Sequence, residues 1–128
     1  MTEEQLAFFE KATKGVLEGE AGKPVREVTK VTAENLPELD VMMMKNAIPQ
    51  LEEYNKGDEP FFMSINFTKN HQPNIPTAGY EGKSPGKSKY ADAVQELDHH
   101  IGNIMDKIKE VGFEGDQKWN IPLGIGIL

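Results

Sequence analysis

The 128-residue chain contains no cysteine and a single arginine, Arg26. Without cysteine, disulfide bonds, cysteine nucleophiles and metal sites with thiolate ligands are excluded within these residues. Long apolar runs are also missing, because no stretch approaches the ~20 apolar residues that a helix needs to span a bilayer. The first ten residues, MTEEQLAFFE, are acidic, which is not typical of a secretory signal peptide. We therefore expect either a cytosolic protein or a chain whose original N-terminus lies upstream of Met1.

Positive charge is scarce relative to negative charge. The chain has 14 Lys and Arg residues against 21 Asp and Glu residues, so its net charge is −7. We expect neither nucleic acid nor an anionic membrane as a partner, because phosphate binding requires a basic surface. One local group of lysines exists, Lys83, Lys87 and Lys89, but Glu81 and Asp92 flank it. We interpret this group as a solvated loop.

The central part of the chain predicts an α/β fold. Residues 60–67, PFFMSINF, are almost entirely apolar and lie between turn signals, which is typical of a strand buried on both faces. Asp40 can cap a helix before this strand, and Pro49 is expected to kink or divide that helix. A further helix is predicted after the strand. Helices on either side of a buried strand favour a mostly parallel sheet flanked by helices.

Weaker signals surround this central unit. Thr2 and Gln5 can form a capping box that starts a first helix. Residues 25–31, VREVTKV, can form a short strand. Residues 68–87 are rich in proline and glycine, and we predict a loop there.

The strongest helical pattern begins at Ser88, which can cap it, and ends at Gly112. We predict that its apolar stripe faces the core and that Asp92 and Glu96 lie on the solvated surface. The apolar residues recur at spacings of three and four, at Tyr90, Val94, Leu97, Ile101, Ile104, Met105, Ile108 and Val111.

Three adjacent polar residues on this helix, Asp98, His99 and His100, resemble a metal-binding group only superficially. A helix binds a metal through residues three or four apart, which share a face. His99 and His100 diverge by ~100°. We therefore expect structural roles for them.

His71 is the candidate catalytic residue. It lies a few residues past the end of the predicted strand, where open α/β sheets bind their ligands. Lys69 and His71 alternate around Asn70, so in an extended loop both side chains could converge on one anion. An imidazole can donate a hydrogen bond or deliver a proton near neutral pH. From spacing alone, a solvated loop histidine is the favoured interpretation, and a substrate-contacting histidine is the alternative.

Two separated stretches resemble the sulfatase family, in particular the arylsulfatase-type members of the alkaline phosphatase superfamily. They are PFFMSINFTKNHQPNIP, residues 60–76, and GKSKYADAVQELDHHIGNIMDKIKEVGF, residues 86–113. The resemblance is firm over residues 59–116 and weaker toward GVLEGEAGKP. On this resemblance, we expect residues 1–128 to be a partial sulfatase domain, of which residues 117–128 are an atypical tail. The resemblance implies an alkaline-phosphatase-like α/β fold, of which this chain would hold a fragment.

The resemblance also implies a function, the hydrolysis of sulfate esters on a small molecule or glycan by the full-length enzyme. Family members use a formylglycine made within a Cys/Ser-x-Pro-x-Arg motif, usually with calcium. At the position that matches His71, they carry a histidine that touches the sulfate and helps to protonate the leaving oxygen. Lys69 matches a position where lysine is frequent, which implies a substrate-binding role. Family members are often exported, which suggests a periplasmic or secreted location.

The chain departs from the family pattern at the places that supply the nucleophile and the metal ligands. It has no Cys/Ser-x-Pro-x-Arg motif, no paired N-terminal aspartates, and QKWNIPLGIGIL where the family has a strand ending in Asp-Asn-Gly. Asn70 also replaces a common proline. We expect a truncated or frameshifted sulfatase fragment that binds no calcium and has no turnover by itself. The alternative is a non-catalytic anion-binding or interaction module on the same piece of fold.

Overall fold

The computed structural model describes residues 2–12 and 15–113. The chain divides into two compact units, Met1–Glu38 and Leu39–Leu128. The atypical tail, residues 117–128, lies outside the described residues, so the expectation about it is not tested here.

The first unit contains helix α1 (Glu3–Ala12), strands β1 (Val16–Glu18) and β2 (Arg26–Thr29), and a 3₁₀ turn at Leu36–Glu38. The predicted capping box is confirmed. The Thr2 N–H donates to the Gln5 side-chain oxygen at 2.9 Å, and the Gln5 N–H donates to the Thr2 hydroxyl at 3.2 Å. The predicted strand within residues 25–31 is also confirmed, and it pairs with β1 in an antiparallel hairpin.

The second unit contains two helices, α2 (Leu39–Tyr54) and α3 (Lys89–Glu110). They pack together around a small apolar core of Leu51, Ile108 and Phe113. Phe61, in the segment between the helices, covers this core, and its ring centroid lies 5.2 Å from that of Phe113. None of the described helices is both long and apolar enough to cross a membrane.

Both ends of α3 form as predicted. The Ser88 hydroxyl accepts a hydrogen bond from the Ala91 N–H at 3.1 Å, which satisfies a donor of the first turn. Gly112 has a φ of 80°, a left-handed conformation that glycine adopts without steric cost. Because the chain reverses there, the Phe113 N–H reaches the Ile108 carbonyl at 3.1 Å and its side chain enters the core.

The predicted orientation of α3 is wrong over its first half. Tyr90, at 56% exposed, and Val94 face solvent in this chain, whereas Asp92, Glu96 and His100 are buried. Asp92 and Glu96 are therefore not solvated surface residues. The physical reason is that the preceding loop folds over this half of the helix and presents N–H donors, which the carboxylates of Asp92 and Glu96 accept.

Asp92 holds part of that loop against the helix. Its two carboxylate oxygens accept hydrogen bonds from the Gly82 and Ser84 N–H groups, each at 2.8 Å. The neighbouring Ser84 hydroxyl and these two N–H donors hold the pKa of Asp92 below its ordinary value. The N–H donors contribute most to this effect, because the buried Ser84 hydroxyl has no hydrogen-bond partner among the described residues.

Helix α2 differs from its prediction in two ways. It runs without interruption through Pro49, which therefore does not divide it. Asp40 is the second residue of the helix and its side chain is fully buried, so it does not act as the cap. Its carboxylate instead reaches the loop that follows residue 67.

Residues 60–67, which we call the extended segment because the burial of its side chains alternates, form no helix and belong to no sheet within the described residues. Their side chains alternate, with Phe61, Met63, Ile65 and Phe67 half-buried and the residues between them exposed. Phe62 is 90% exposed, so burial on both faces does not hold for this chain. Among the described residues the one sheet is antiparallel, and the parallel sheet that we predicted is not confirmed.

Replacement of Leu51 should test the core between α2 and α3. Leu51 is 2% exposed, so Leu51→Ala should lower the free energy of unfolding by about 2–5 kcal/mol through lost burial and a cavity. Leu17→Ala is the matched control, because Leu17 is 57% exposed. Urea unfolding of both variants measures the difference. Equal losses would contradict the position of this core.

The lowered pKa of Asp92 predicts a specific pH dependence. A carboxylate with a lower pKa in the folded chain stabilises the fold above about pH 4, and this contribution is lost as pH falls through the lowered pKa. Asp92→Asn should therefore be less stable at neutral pH and should lose less stability on acidification. Urea unfolding between about pH 3 and pH 7 measures this, with exposed Asp98→Asn as the control. Parallel curves for Asp92→Asn and the parent chain would contradict the assignment.

Candidate functional site

The candidate site is the loop of residues 68–77, which we call the histidine loop. It follows the extended segment directly, as the sequence predicted, and carries His71 at an exposed position. The His71 N–H donates to the Thr68 carbonyl at 2.9 Å, which closes a tight turn. The Gln72–Pro73 peptide bond within the loop is cis.

The backbone of His71 is fixed on both sides although its side chain is exposed. Its N–H is bonded to Thr68, and its carbonyl accepts from the Asn74 side-chain amide at 3.3 Å. The same Asn74 amide donates to the Lys69 carbonyl at 3.1 Å. Asn74 therefore bridges the two arms of the loop.

The imidazole of His71 has one nitrogen in contact with the loop. Its Nδ1 lies 2.7 Å from the Gln72 carbonyl oxygen. A carbonyl oxygen can only accept, so Nδ1 carries the hydrogen in this contact. In the neutral ring, Nε2 is then the proton acceptor, and among the described residues it has no hydrogen-bond partner. This arrangement suits a group that takes up a proton and passes it to a ligand at Nε2.

The start of the histidine loop is bound to α2. The Asp40 Oδ1 accepts hydrogen bonds from the N–H and the hydroxyl of Thr68, both at 2.8 Å. The Asp40 Oδ2 accepts from the Lys69 N–H at 3.1 Å. A fully buried carboxylate is tolerated only when such donors replace its water, and the first turn of a helix also favours its charge.

The end of the histidine loop is bound to α3. The Glu96 Oε2 accepts from the Thr77 N–H at 2.9 Å, and its Oε1 accepts from the Thr77 hydroxyl at 3.0 Å. Glu96 is 0% exposed. Two buried carboxylates on two different helices thus hold the two ends of the loop.

Lys69, near the start of the histidine loop, reaches with its side chain to the end of the loop. Lys69 is 3% exposed. Its ammonium lies 3.1 Å from the Glu96 Oε2 and 3.3 Å from the Ile75 carbonyl oxygen. The expected convergence of Lys69 and His71 on one anion is not seen, since the lysine side chain is buried and the histidine side chain is exposed. Removing one partner of a buried ion pair typically costs about 3–5 kcal/mol, because the other charge is left without compensation.

The two adjacent histidines of α3 diverge, as expected. His99 is exposed and its ring lies 5.9 Å from that of Tyr80. His100 is buried, stacks on Phe67 at 5.9 Å, and places its Nε2 3.5 Å from the Glu96 Oε1. His100 therefore packs between Phe67 and Glu96, and it does not share a face of α3 with His99.

The resemblance raised calcium as a cofactor of the full-length family. Within residues 2–12 and 15–113, no three His, Asp or Glu side chains lie close enough together to hold a metal ion. The carboxylates of Asp40, Glu96 and Asp92 are each bonded to N–H donors instead. The described residues therefore do not fit a calcium site.

Sequence reasoning missed the buried carboxylates that organise this region. The sequence predicts a helix cap for Asp40 and surface positions for Asp92 and Glu96. One signal could have revealed the last two, since Asp92, Glu96 and His100 recur every four residues and thus share one face of α3. The loop segments near this face offer many backbone donors, and such donors must be satisfied when a loop is buried.

Comparisons with known proteins find sequence similarity to two human arylsulfatases. The chain is similar to human arylsulfatase D, with 30% identity over 73 residues that cover 57% of this chain and 12% of the relative. It is also similar to human arylsulfatase H, with 32% identity over 69 residues that cover 54% of this chain and 12% of the relative. The matches thus span about one eighth of the length of these relatives. No solved structure matches the chain at a significant level.

A family model gives the broadest match. The model described as Sulfatase matches residues 12–115, which include the extended segment, the histidine loop and the whole of α3. This family acts on sulfate esters and has an alkaline-phosphatase-like α/β fold. The chain belongs to the sulfatase family.

Proposed function

We propose that this chain supplies the histidine loop of an arylsulfatase-like sulfuric ester hydrolase and is inactive by itself. The full enzyme would act on the sulfate ester of a small molecule or a glycan. The observation that carries the proposal is the exposed His71, whose backbone is fixed on both sides within the region that matches the family. These hydrogen bonds hold the backbone of His71 in one position, which a group that must meet a substrate requires.

The contacts of His71 favour a role in proton transfer. With Nδ1–H donated to the Gln72 carbonyl, Nε2 is the nitrogen that can meet a substrate. In the proposed step, a nucleophile from outside this chain forms a bond to sulfur, the S–O bond to the leaving group breaks, and the electron pair of that bond stays on the leaving oxygen. Protonated His71 then delivers the Nε2 proton to that oxygen, and the neutral ring remains bonded to Gln72.

Other parts of the reaction would come from outside this chain. The chain has no Cys/Ser-x-Pro-x-Arg motif for a formylglycine, and its described residues do not fit a calcium site. We therefore assign the nucleophile and the metal to regions of a longer sulfatase. Direct contact between Lys69 and the sulfate stays a prediction, and it would require the ammonium to leave Glu96.

We also propose that residues 60–67 form a strand of a mostly parallel sheet in that longer protein. No backbone hydrogen bond involves these residues within the described part of the chain. An extended segment with unpaired N–H and C=O groups readily pairs with a neighbouring strand. Neighbours on both sides would also cover Phe62, which is 90% exposed here.

The catalytic role of His71 can be tested in a longer sulfatase chain that contains this segment. His71→Ala should lower kcat for an aryl sulfate by about 10²- to 10⁴-fold, the usual contribution of a general acid. His99→Ala is the matched control, since His99 is also exposed but lies on α3. Equal activities of the two variants would refute the role of His71. The isolated 128-residue chain should show no turnover above its own His71→Ala variant.

The proposed strand predicts a change in amide protection. In the isolated chain, the amides of residues 61–67 should exchange rapidly because they have no backbone hydrogen-bond partner within residues 2–12 and 15–113. In the longer chain, sheet pairing should slow their exchange by about 100-fold or more. Hydrogen exchange followed by mass spectrometry measures both states, and the amides of α3 provide the internal reference. Rapid exchange of residues 61–67 in both chains would contradict the sheet.

A further inference from the structure

We infer that Glu96 is a positioning residue that sets where His71 stands, acting through Thr77 and Lys69. This inference rests on the proposed function, because positioning matters to the reaction only if His71 meets the substrate. Glu96 itself is fully buried and does not touch His71. Its effect must therefore pass through the histidine loop.

The first path runs through the exit of the loop. Both carboxylate oxygens of Glu96 bind Thr77, one through the N–H at 2.9 Å and one through the hydroxyl at 3.0 Å. A two-point contact fixes the orientation of Thr77 as well as its distance from α3. Since α3 is anchored in the apolar core, Thr77 cannot shift unless this contact breaks.

The second path runs through the entrance of the loop. The Lys69 ammonium lies between the Glu96 carboxylate, at 3.1 Å, and the Ile75 carbonyl, at 3.3 Å. The Lys69 carbonyl in turn accepts from the Asn74 amide, which also binds the carbonyl of His71. The position of the Glu96 carboxylate is thus transmitted through a connected set of hydrogen bonds to the backbone of His71.

Asp40 supports the same turn from α2. It binds the N–H groups of Thr68 and Lys69, and the Thr68 carbonyl accepts the His71 N–H. Asp40 therefore fixes the start of the histidine loop. Glu96 fixes the end of the loop, at Thr77, and the ammonium of Lys69. Neither helix alone determines the position of the histidine.

Two variants of the 128-residue chain test the role of Glu96. Glu96→Gln keeps the size and an acceptor oxygen but removes the charge that pairs with Lys69. Thr77→Val keeps both charges and removes only the hydroxyl donor, so it remains informative if Glu96→Gln does not fold. Asp98→Asn changes an exposed carboxylate of the same helix and is the control.

The first measurement is amide hydrogen exchange by NMR. Both variants should speed exchange at His71 and Thr77 by about 10- to 100-fold, the effect of weakening a hydrogen bond to a charged group. The Phe113 amide, bonded to Ile108 in the core, should keep its protection relative to the control. Faster exchange of Phe113 by the same factor would show a general loss of stability and would overturn the inference.

The second measurement is the ¹⁵N signals of the imidazole rings at a temperature where each variant is folded. A shifted loop should break the contact of Nδ1 with the Gln72 carbonyl and move the His71 signals. The His99 signals provide a reference within the same spectrum. A residue that only stabilises the fold would leave the His71 signals unchanged, and that result would overturn the inference.

These measurements contain no sulfate, so their outcome does not depend on the proposed function. If the loop responds to Glu96 but His71→Ala leaves the longer enzyme fully active, the proposed function fails. If His71→Ala abolishes activity but the exchange and the imidazole signals of His71 do not change in Glu96→Gln and Thr77→Val, the positioning role is refuted and the proposed function is not.

Discussion

The histidine loop depends on the contacts of the Glu96 carboxylate. Glu96 accepts two hydrogen bonds from Thr77 and pairs with the Lys69 ammonium. A carboxylate that is 0% exposed is stable only when donors replace its lost water. Thr77 and Lys69 supply those donors from opposite ends of the loop. The cost of burying Glu96 therefore becomes a constraint on the shape of the loop. An apolar residue at this position could fill the space but could not orient a backbone.

Three helical carboxylates hold loop backbone in this way among the described residues of the second unit. Asp40 binds Thr68 and Lys69, Glu96 binds Thr77, and Asp92 binds the N–H groups of Gly82 and Ser84. In each case a helical carboxylate replaces the strand partner or water that a loop backbone would otherwise need. The helices can perform this role because their own apolar contacts hold them together. The core around Leu51 and Ile108 is small, and the carboxylates extend order from it to the loops.

The proposed function gives a reason for holding the histidine loop in place. A general acid must stand within hydrogen-bond reach of the leaving oxygen, and small displacements of such a group are costly. An exposed histidine on a long loop would ordinarily sample many positions. Here the loop is bound to two helices, while the face of the histidine remains open to a ligand. The proposed strand at residues 60–67 would join this unit to the remainder of a longer enzyme.

Several elements could be read from the sequence because local interactions determine them. The capping box at Thr2, the cap at Ser88 and the left-handed turn at Gly112 depend on neighbours within a few residues, and all three form as predicted. The family resemblance likewise follows from contiguous residues. What only the tertiary structure decided is which face of the first half of α3 is buried and what Lys69 binds. Residues 68–84 fold onto α3 from a distance along the chain, and their N–H donors make Glu96 and Asp92 interior residues, which no pattern of apolar spacing could indicate.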